Sequence, residues 1–239
     1  MSERDRFSLI GHAEMPLMNP LRVEEVAALL ACADLRKHDR VVDLGAGRAD
    51  LGRLVSERYD CVVTSVDRSP AACEAARRTP LSPEIEVVCQ DARVFLEQRD
   101  PHDLGLAAAL GALHAFGSGL PSWTRAFEEL RPRARWVLVG DLVALGPIAA
   151  AAMDVATLGQ LAPWLSLARE RVILPPDRVR AYERAWCAAV ERYLATQPGD
   201  PRGDWARERI AWSRGTSLEA AWAQLAFVAL LVPGTPPGR

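Results

Sequence analysis

Lysine is nearly missing from this 239-residue chain, in which Lys37 is the only one among 29 basic side chains. Schiff-base catalysis needs a lysine amine in a buried pocket, so the sequence argues against that chemistry. The formal net charge is −2, and no basic excess exists to form the positive face of a nucleic-acid-binding protein. We therefore expect no nucleic-acid partner.

Long apolar runs are also missing, since no segment approaches the roughly 18 residues that a membrane-spanning helix requires. The opening residues MSERDRFSLIGH are charged where a secretory signal would be apolar. The five cysteines are scattered and never form a CxxC pair. These features predict a cytoplasmic protein with reduced thiols and no membrane association.

Metal-binding and hydrolase motifs are missing as well. The four histidines form no HxxxH or HExxH motif and no cluster with cysteine. A magnesium site needs several converging oxygen ligands, which Asp141 alone does not supply. No GxSxG elbow occurs either. We expect neither a metal cofactor nor a serine hydrolase.

Short apolar runs alternate with amphipathic segments through the middle of the chain. The runs cover residues 40–45, 61–67, 84–91, 104–112 and 135–141. They lack strict polar alternation, as strands buried on both faces do. Strands that alternate with helices predict right-handed crossover units and a parallel sheet.

The flanking regions have less regular patterns. Before the alternating region we predict a loop and then a helix over 21–35. After it we predict helices over 158–170, 179–197 and 204–216 and strands over 171–176 and 224–232. The two late strands would extend the sheet edge, with a helical pair inserted between them. We divide the chain into an N-terminal part (1–39), a core (40–145) and a C-terminal part of the same domain (146–239).

Polar residues recur where the predicted strands end. They follow one another at intervals of 23 to 27 residues: Asp43, Asp67, Asp91, His114 and Asp141. Ligands of open parallel sheets bind at the carboxyl ends of the strands. The regular spacing therefore predicts a binding site at this edge of the sheet.

The most informative motif is VVDLGAGRADLG, residues 41–52. Gly45 and Gly47 allow a tight turn between a strand and a helix whose N–H groups point at a ligand. Asp67 ends the next strand, where an acidic residue can accept hydrogen bonds from ribose hydroxyls. Taken alone, Asp67 could equally be the N-cap of the helix that opens at Ser69.

Two nucleotide-type cofactors compete for this motif. In the dinucleotide fingerprint GxGxxG the third position would fall on Asp50, which would bring a carboxylate near two phosphates. S-adenosylmethionine has no phosphate, and Asp43 suits its cationic amino acid end. The sequence therefore favours S-adenosylmethionine over NAD.

Four motifs together resemble the class I S-adenosylmethionine-dependent methyltransferase family. They are VVDLGAGRADLG, TSVDRSPAACEAA, VVCQDARVF and LGALHAFG. The segments 11–30 and 182–201 resemble one group of small-molecule-type bacterial members. The resemblance implies a Rossmann-like α/β fold with a mostly parallel seven-stranded sheet, helices on both faces and a helical insertion near the C-terminus. It also implies that 40–145 is the cofactor-binding core and 1–39 an acceptor lid.

The family's cofactor contacts can be carried over by position. The resemblance places three residues against the methionine part of the cofactor: Gly45, Ala46 and Gly47. It implies that Asp67 holds the ribose and that Arg68 lies along the adenine.

Further along, the resemblance implies that Asp91 binds the adenine amino group and that Ala92 supplies a backbone N–H. Gly111 and Ala112 would lie beside the sulfonium. Ala49 stands where many members have a third glycine. No Asn-Pro-Pro-Tyr or Asp-Pro-Pro-Tyr sequence follows the fourth strand, which removes the main support for a nucleic-acid or glutamine amino methyltransferase.

Catalysis can come largely from holding the acceptor in near-attack geometry. His114 follows the fourth strand, where the methyl group should point, and it is our candidate for a base or an acceptor-orienting group. Asp141 would orient His114 or bind a cationic acceptor. A structural histidine and a capping aspartate are the alternatives.

Acceptor contacts are less clearly marked in the sequence. Met15, Met18 and Asn19 would form a lid over the site, with ordinary packing of an N-terminal arm as the alternative. Five aromatic residues of the late helices are predicted to form helix-pair core rather than an acceptor cage: Tyr182, Trp186, Tyr193, Trp205 and Trp212.

The sequence thus predicts an S-adenosylmethionine-dependent methyltransferase that acts on O or N of a small-molecule acceptor. Two alternatives stay open: a methyltransferase-like ligand-binding protein without transfer activity, and a nicotinamide-dependent oxidoreductase. The sequence determines neither the acceptor nor the oligomeric state.

Overall fold

The computed structural model describes residues 3–80, 82–201 and 203–235. The ends of the predicted segments 1–39 and 146–239, residues 1–2 and 236–239, lie outside the described residues. The strands within these ranges are β1 (Arg40–Leu44), β2 (Val62–Asp67), β3 (Ile85–Cys89), β4 (Leu104–Leu110), β5 (Ala134–Ala144), β6 (Glu170–Leu174) and β7 (Leu225–Pro233).

The α-helices of the same ranges are α1 (Glu3–Gly11), α2 (Val23–Ala31), α3 (Asp50–Tyr59), α4 (Pro70–Arg78), α5 (Ala92–Arg99), α6 (Gly119–Leu130), α7 (Pro147–Met153), α8 (Ala162–Leu167), α9 (Pro176–Thr196), α10 (Gly203–Arg214) and α11 (Thr216–Trp222). Two 3₁₀ helices cover Leu113–Ala115 and Leu158–Leu161. No helix of the described ranges is both long and apolar enough to cross a membrane.

The seven strands form one sheet in the order β3-β2-β1-β4-β5-β7-β6. The neighbouring pairs among β1 to β5 are parallel, and β7 pairs antiparallel with both β5 and β6. This confirms the predicted fold class, including the two late strands at the sheet edge and the helices inserted between them. The strand order changes direction between β1 and β4, which opens a crevice at the carboxyl ends of these strands.

The central strands are buried on both faces, which explains why their apolar runs do not alternate with polar residues. Successive side chains of a strand point to opposite faces, so Val41 and Val42 of β1 belong to two different hydrophobic clusters. In β7 every residue from Leu225 to Val232 is buried. Such strands leave no solvent face on which polar residues could mark the register.

Helix α1 corrects the sequence-based prediction of a loop before residue 21. Phe7 is fully buried against Tyr193 of α9 and Trp205 of α10, with ring centroids 5.9 and 6.2 Å apart. A short helix depends on such packing because its own hydrogen bonds barely offset the cost of nucleation. The packing partners lie almost 200 residues away in the chain, so the local pattern gave no sign of this helix.

The predicted helix over 158–170 is shorter and divided in the structure. A 3₁₀ turn ends at Leu161, α8 follows, and Pro163 lies in the first turn of α8, where its missing N–H costs nothing. The chain then enters β6 at Glu170. The sequence analysis predicted a helix between β3 and β4, where α5 lies, but not α7 and α11.

Candidate active site

A cavity of about 280 Å³ opens at the crevice between β1 and β4, and we call it the first cavity. Its walls come from the turns after β1, β2, β3 and β4 together with the N-terminal arm. All ten residues predicted to bind the cofactor line it: Asp43, Gly45, Ala46, Gly47, Asp67, Arg68, Asp91, Ala92, Gly111 and Ala112. The structure thus brings the whole predicted set together.

The glycine turn approaches the cavity more closely than a side chain would permit. Gly45 and Gly47 have φ angles of +70° and +56°. A Cβ on Gly45 would lie 2.2 Å from the Ala112 Cβ, and one on Gly47 would lie 2.5 Å from the Met18 sulfur. Ala49 also has a positive φ of 61°, which gives the physical reason for a glycine at that position in many family members.

Asp67 links the turn after β1 to the turn after β2 through two hydrogen bonds. One carboxylate oxygen, Oδ2, accepts a hydrogen bond from the Gly47 N–H, and the other, Oδ1, accepts one from the Ser69 N–H, both at 2.8 Å. Ser69, not Asp67, is the N-cap of α4, because its hydroxyl accepts from the Ala72 N–H. A carboxylate oxygen has two acceptor positions, so each oxygen keeps one for a ligand in the cavity.

Asp43 is the most unusual carboxylate of the site. It is 3% exposed, and its Oδ2 has no hydrogen-bond partner among the described residues. Burial raises the pKa of Asp43 to about 7, and the nearby Asp67 and Asp50 carboxylates add to this. A cationic group in the first cavity would satisfy the free oxygen and lower the pKa again, because an opposite charge favours the ionised carboxylate.

The two carboxylate oxygens of Asp91 differ in their contacts. Oδ1 accepts hydrogen bonds from the Arg93 and Val94 N–H groups and so caps α5. Oδ2 has no protein partner among the described residues. Because Asp91 lines the first cavity, this oxygen is available to a hydrogen-bond donor such as an aromatic amino group.

The environment of Asp50 differs from what the sequence predicts, and this weakens one reason for excluding NAD. Its carboxylate is paired with Arg48 at 2.8 Å and with Arg53 at 3.0 Å. The charge is therefore compensated, and Asp50 would not repel a phosphate as the sequence suggested. The free oxygen of buried Asp43 still favours a cationic ligand over a pyrophosphate.

A second cavity of about 220 Å³ adjoins the first. The two cavities share five lining residues: His12, Met18, Asn19, Gly111 and Tyr182. The rest of the second cavity is formed by Pro20 of the N-terminal arm, by β5 and β7, and by helices α7, α9, α10 and α11. Because Gly111 lines both cavities, a molecule in the second cavity would lie next to one in the first.

The two predicted catalytic residues lie on different cavities. His114 is exposed on the 3₁₀ helix Leu113–Ala115 and lines the first cavity. Asp141 is partly buried and lines the second cavity, where its oxygens accept from the Leu113 N–H at 3.1 Å and the Leu142 N–H at 2.8 Å. Burial raises the pKa of Asp141, and the two backbone hydrogen bonds oppose this.

Only two of the three predicted lid residues line the cavities. Met18 and Asn19 line both cavities, whereas Met15 packs against the hydrophobic cluster of α1, α9 and α10. Arg48 of the glycine turn holds this arm, donating to the His12 and Met15 carbonyl oxygens at 2.9 and 2.7 Å. The sequence gave no indication of this role for Arg48.

A histidine–tyrosine pair forms the wall that the cavities share. The His12 Nδ1 lies 2.6 Å from the Ser8 carbonyl oxygen, which can only accept, so Nδ1 carries the proton. The neutral ring then accepts at Nε2 from the Tyr182 hydroxyl. Burial lowers the pKa of His12 and raises that of Tyr182, so both are neutral near pH 7.

Sequence reasoning missed this pair because 170 residues separate its members and no motif contains either one. The prediction that the late aromatic residues form helix-pair core holds for Tyr193 and Trp205, which pack around Phe7. It is incomplete for Tyr182 and Trp186, which line the second cavity. In the described part of the chain, no group of three or more histidine, cysteine or acidic side chains is placed to hold a metal ion.

Comparison with known proteins agrees with the fold. Residues 41–135 match a family model described as a methyltransferase domain. No curated protein matches the sequence significantly.

Several solved structures share the architecture. A methyltransferase from Thiobacillus denitrificans, crystallised with S-adenosyl-L-homocysteine, is 22% identical, with 95% of this chain and 97% of that chain covered and a TM-score of 0.75. One from Geobacter sulfurreducens, also with S-adenosyl-L-homocysteine, is 20% identical, covers 96% and 98%, and has a TM-score of 0.76. YjhP from E. coli is 18% identical, covers 96% and 100%, and has a TM-score of 0.76.

Proposed function

We propose that this chain, which has the class I methyltransferase fold and a methyltransferase domain over residues 41–135, is an S-adenosylmethionine-dependent methyltransferase. It binds the cofactor in the first cavity and methylates O or N of a small-molecule acceptor in the second. The observation that carries the proposal is the free Asp43 oxygen beside the Gly45–Gly47 turn. The S-adenosyl-L-homocysteine bound to two structural neighbours supports it.

The residues of the first cavity fit the parts of this cofactor. Asp43 offers its free carboxylate oxygen to the methionine ammonium group, and the bare glycine backbone leaves room for the methionine chain. Asp67 can accept from the ribose hydroxyls, and the Asp91 Oδ2 can accept from the adenine amino group. Each pairing uses a hydrogen-bond acceptor position for which the described residues supply no donor.

The remaining cofactor contacts come from the walls of the cavity. We propose that Arg68 lies along the adenine, that Ala92 offers a backbone N–H, and that Gly111 and Ala112 border the sulfonium. Gly111 belongs to both cavities, so a methyl group there would point towards the second one.

When bound, S-adenosylmethionine supplies an electrophilic methyl group. The protein's main contribution is to hold the acceptor in line with that group and to exclude water. We propose His114 as a base or orienting group at the first cavity and Asp141 as an acceptor-binding group in the second. The N-terminal part (1–39) serves as the lid, with Met18 and Asn19 in contact with both reactants and Met15 anchoring the arm.

A ligand-binding test separates this function from a nicotinamide-dependent oxidoreductase. We expect S-adenosylhomocysteine at about 100 times its Kd to add about 2.7 kcal/mol of stability, which raises the Tm by at least about 5 °C. NADH at the same concentration should give no shift. Stabilisation by NADH alone would overturn the proposal.

A turnover test separates the enzyme from a methyltransferase-like binding protein. Release of S-adenosylhomocysteine from S-adenosylmethionine is measured with a panel of small phenols and amines. We expect at least one acceptor to be methylated, and we expect His114→Ala to lower that rate while cofactor affinity is kept. If the whole panel fails although the cofactor binds, the binding-protein alternative is favoured.

A further inference from the structure

The charges of the second cavity do not balance. Three side chains that line it can carry a full charge near pH 7: Asp141, Glu183 and Arg209. The Arg209 Nη1 lies 2.6 Å from the Glu183 Oε1, so these two charges cancel. The Arg209 guanidinium also stacks on the rings of Trp186 and Trp212, at 5.4 and 4.8 Å, which holds it against the wall. The Asp141 charge remains uncompensated.

Asp141 is fixed in place but lacks a counter-ion. Its two oxygens accept one backbone N–H each, and within the described ranges no cationic side chain pairs with it. Each oxygen therefore keeps an acceptor position for a ligand. A partly desolvated carboxylate attracts a cation and repels an anion more strongly than one in open water. This favours a positively charged occupant.

The other walls of the second cavity are mostly apolar. They include four aromatic rings and three aliphatic side chains: Tyr182, Trp186, Trp222, Phe227, Leu142, Met153 and Val179. Aromatic rings accommodate both an apolar substituent and the face of a cation. With a volume of about 220 Å³, the cavity suits a small molecule with one charged end and one apolar or aromatic end.

A protonated amine must lose a proton before its nitrogen can attack a methyl group. The Tyr182 hydroxyl lies on the shared wall and donates to the His12 Nε2, so it can take that proton while its own passes to His12. Arg48, Glu183 and Asp50 are the charged groups that act on His12. Burial lowers the pKa of His12, so that Nε2 carries no proton near pH 7 and can receive the one from the Tyr182 hydroxyl.

We propose that the second cavity binds a small primary or secondary amine in its ammonium form, with Asp141 as the counter-ion and Tyr182–His12 as the proton acceptor. This inference rests on the proposed function. In the transfer, the nitrogen lone pair forms the new C–N bond, and the C–S bond breaks with its electron pair left on sulfur. The methylated product is again an ammonium ion opposite Asp141, and the released proton lies on His12.

The test uses three probes with one ring and different charges: benzylamine, benzyl alcohol and benzoate. Each is titrated at pH 7.5 into the full chain saturated with S-adenosylhomocysteine, and binding is followed by calorimetry. We expect benzylammonium to bind at least about tenfold more tightly than benzoate, with benzyl alcohol between them. Equal or tighter binding of benzoate, or no binding of benzylammonium, would overturn the inference.

Two variants test whether Asp141 is responsible for the preference for benzylammonium. Asp141→Asn should reduce the preference for benzylammonium over benzoate to less than about threefold. The matched control is Asp39→Asn, which also removes one carboxylate but pairs with Arg135 outside both cavities and should keep the full preference. A folded Asp141→Asn protein that keeps the wild-type preference contradicts the inference. If that variant does not fold, the three probes on the wild-type protein still decide.

Binding of S-adenosylhomocysteine keeps the two proposals separable. A protein that fails to bind it fails the proposed function. A protein that binds it and prefers benzoate keeps the proposed function and loses only the ammonium acceptor.

Discussion

The two cavities that meet at Tyr182 are built in different ways. The predicted cofactor contacts of the first cavity all lie at, or shortly after, the carboxyl ends of β1, β2, β3 and β4. The second is lined by residues of the arm, of four helices (α7, α9, α10 and α11) and of β5 and β7, together with Gly111. The first cavity therefore follows from the order of the strands, whereas the second depends on how distant helices pack.

This difference shows where a short motif is informative. In a parallel sheet the carboxyl ends of all strands lie at the same edge, so local patterns are enough to place Asp43, Asp67 and Asp91 together. No comparable rule connects His12 with Tyr182 or Asp141 with Arg209. The following four changes test whether the two cavities are independent in function, from the largest expected effect to the smallest.

Asp67→Ala should affect the first cavity alone. It removes the acceptors of the Gly47 and Ser69 N–H groups and the proposed ribose contact. We expect S-adenosylhomocysteine to bind at least ~100-fold more weakly, since hydrogen bonds to charged groups contribute about 1.5–3 kcal/mol each. Calorimetry checks this. Asp60→Ala, at an exposed carboxylate on the end of α3, is the control and should bind normally.

The pH should also act through the first cavity. The pKa of Asp43 is about 7 in the free protein, and its ionised form is the one that pairs with the cofactor ammonium. Cofactor affinity should therefore rise about tenfold between pH 6 and pH 8, as the ionised fraction of Asp43 increases. Asp43→Asn should bind weakly with little pH dependence. A flat profile for the wild-type protein would contradict this assignment.

The same ionisation has the opposite effect on the stability of the free protein. Between pH 3.8 and about 7, folded Asp43 keeps a proton that the unfolded chain has lost. Stability without cofactor should therefore fall as the pH rises through this range, and Asp43→Asn should remove that fall. Urea unfolding at several pH values measures it.

Arg48→Ala should affect both cavities, because it releases the arm that lines them from the glycine turn. The variant loses hydrogen bonds to the His12 and Met15 carbonyl oxygens and the ion pair with Asp50. We expect a loss of roughly threefold to tenfold in cofactor affinity and faster amide exchange in residues 12–19. Arg58→Ala on the exposed side of α3 is the control. Unchanged exchange in the arm would show that Arg48 does not hold it.

Ala49→Gly should have the smallest effect. Relief of the positive φ of Ala49 gains about 1 kcal/mol, while loss of a fully buried methyl group and the added flexibility of the unfolded chain cost a similar amount. We expect a stability change below about 1 kcal/mol and normal cofactor affinity. A loss above about 2 kcal/mol in urea unfolding would show that the Ala49 methyl group is needed for packing.

Local signals predicted the fold where the signal and the structure involve the same few residues. The helix after β2 opens at Ser69 as the sequence indicated, and the glycine turn follows β1 as the motif requires. The pairing of Asp50 with Arg48 and Arg53 could have been predicted from the sequence, since both arginines are close neighbours of Asp50 in the chain. The dinucleotide fingerprint does not indicate this pairing, because that motif is defined by the spacing of its glycines.

The sequence by itself determined the parallel sheet, the glycine turn and the row of acidic residues at the strand ends, because each depends on neighbours within one crossover unit. Only the tertiary structure decided that α1 is a helix, that His12 meets Tyr182, and that no cationic side chain of the described ranges pairs with Asp141. These features depend on which helix faces come together across almost the whole chain. That outcome is set by the packing of the complete core and not by any local pattern.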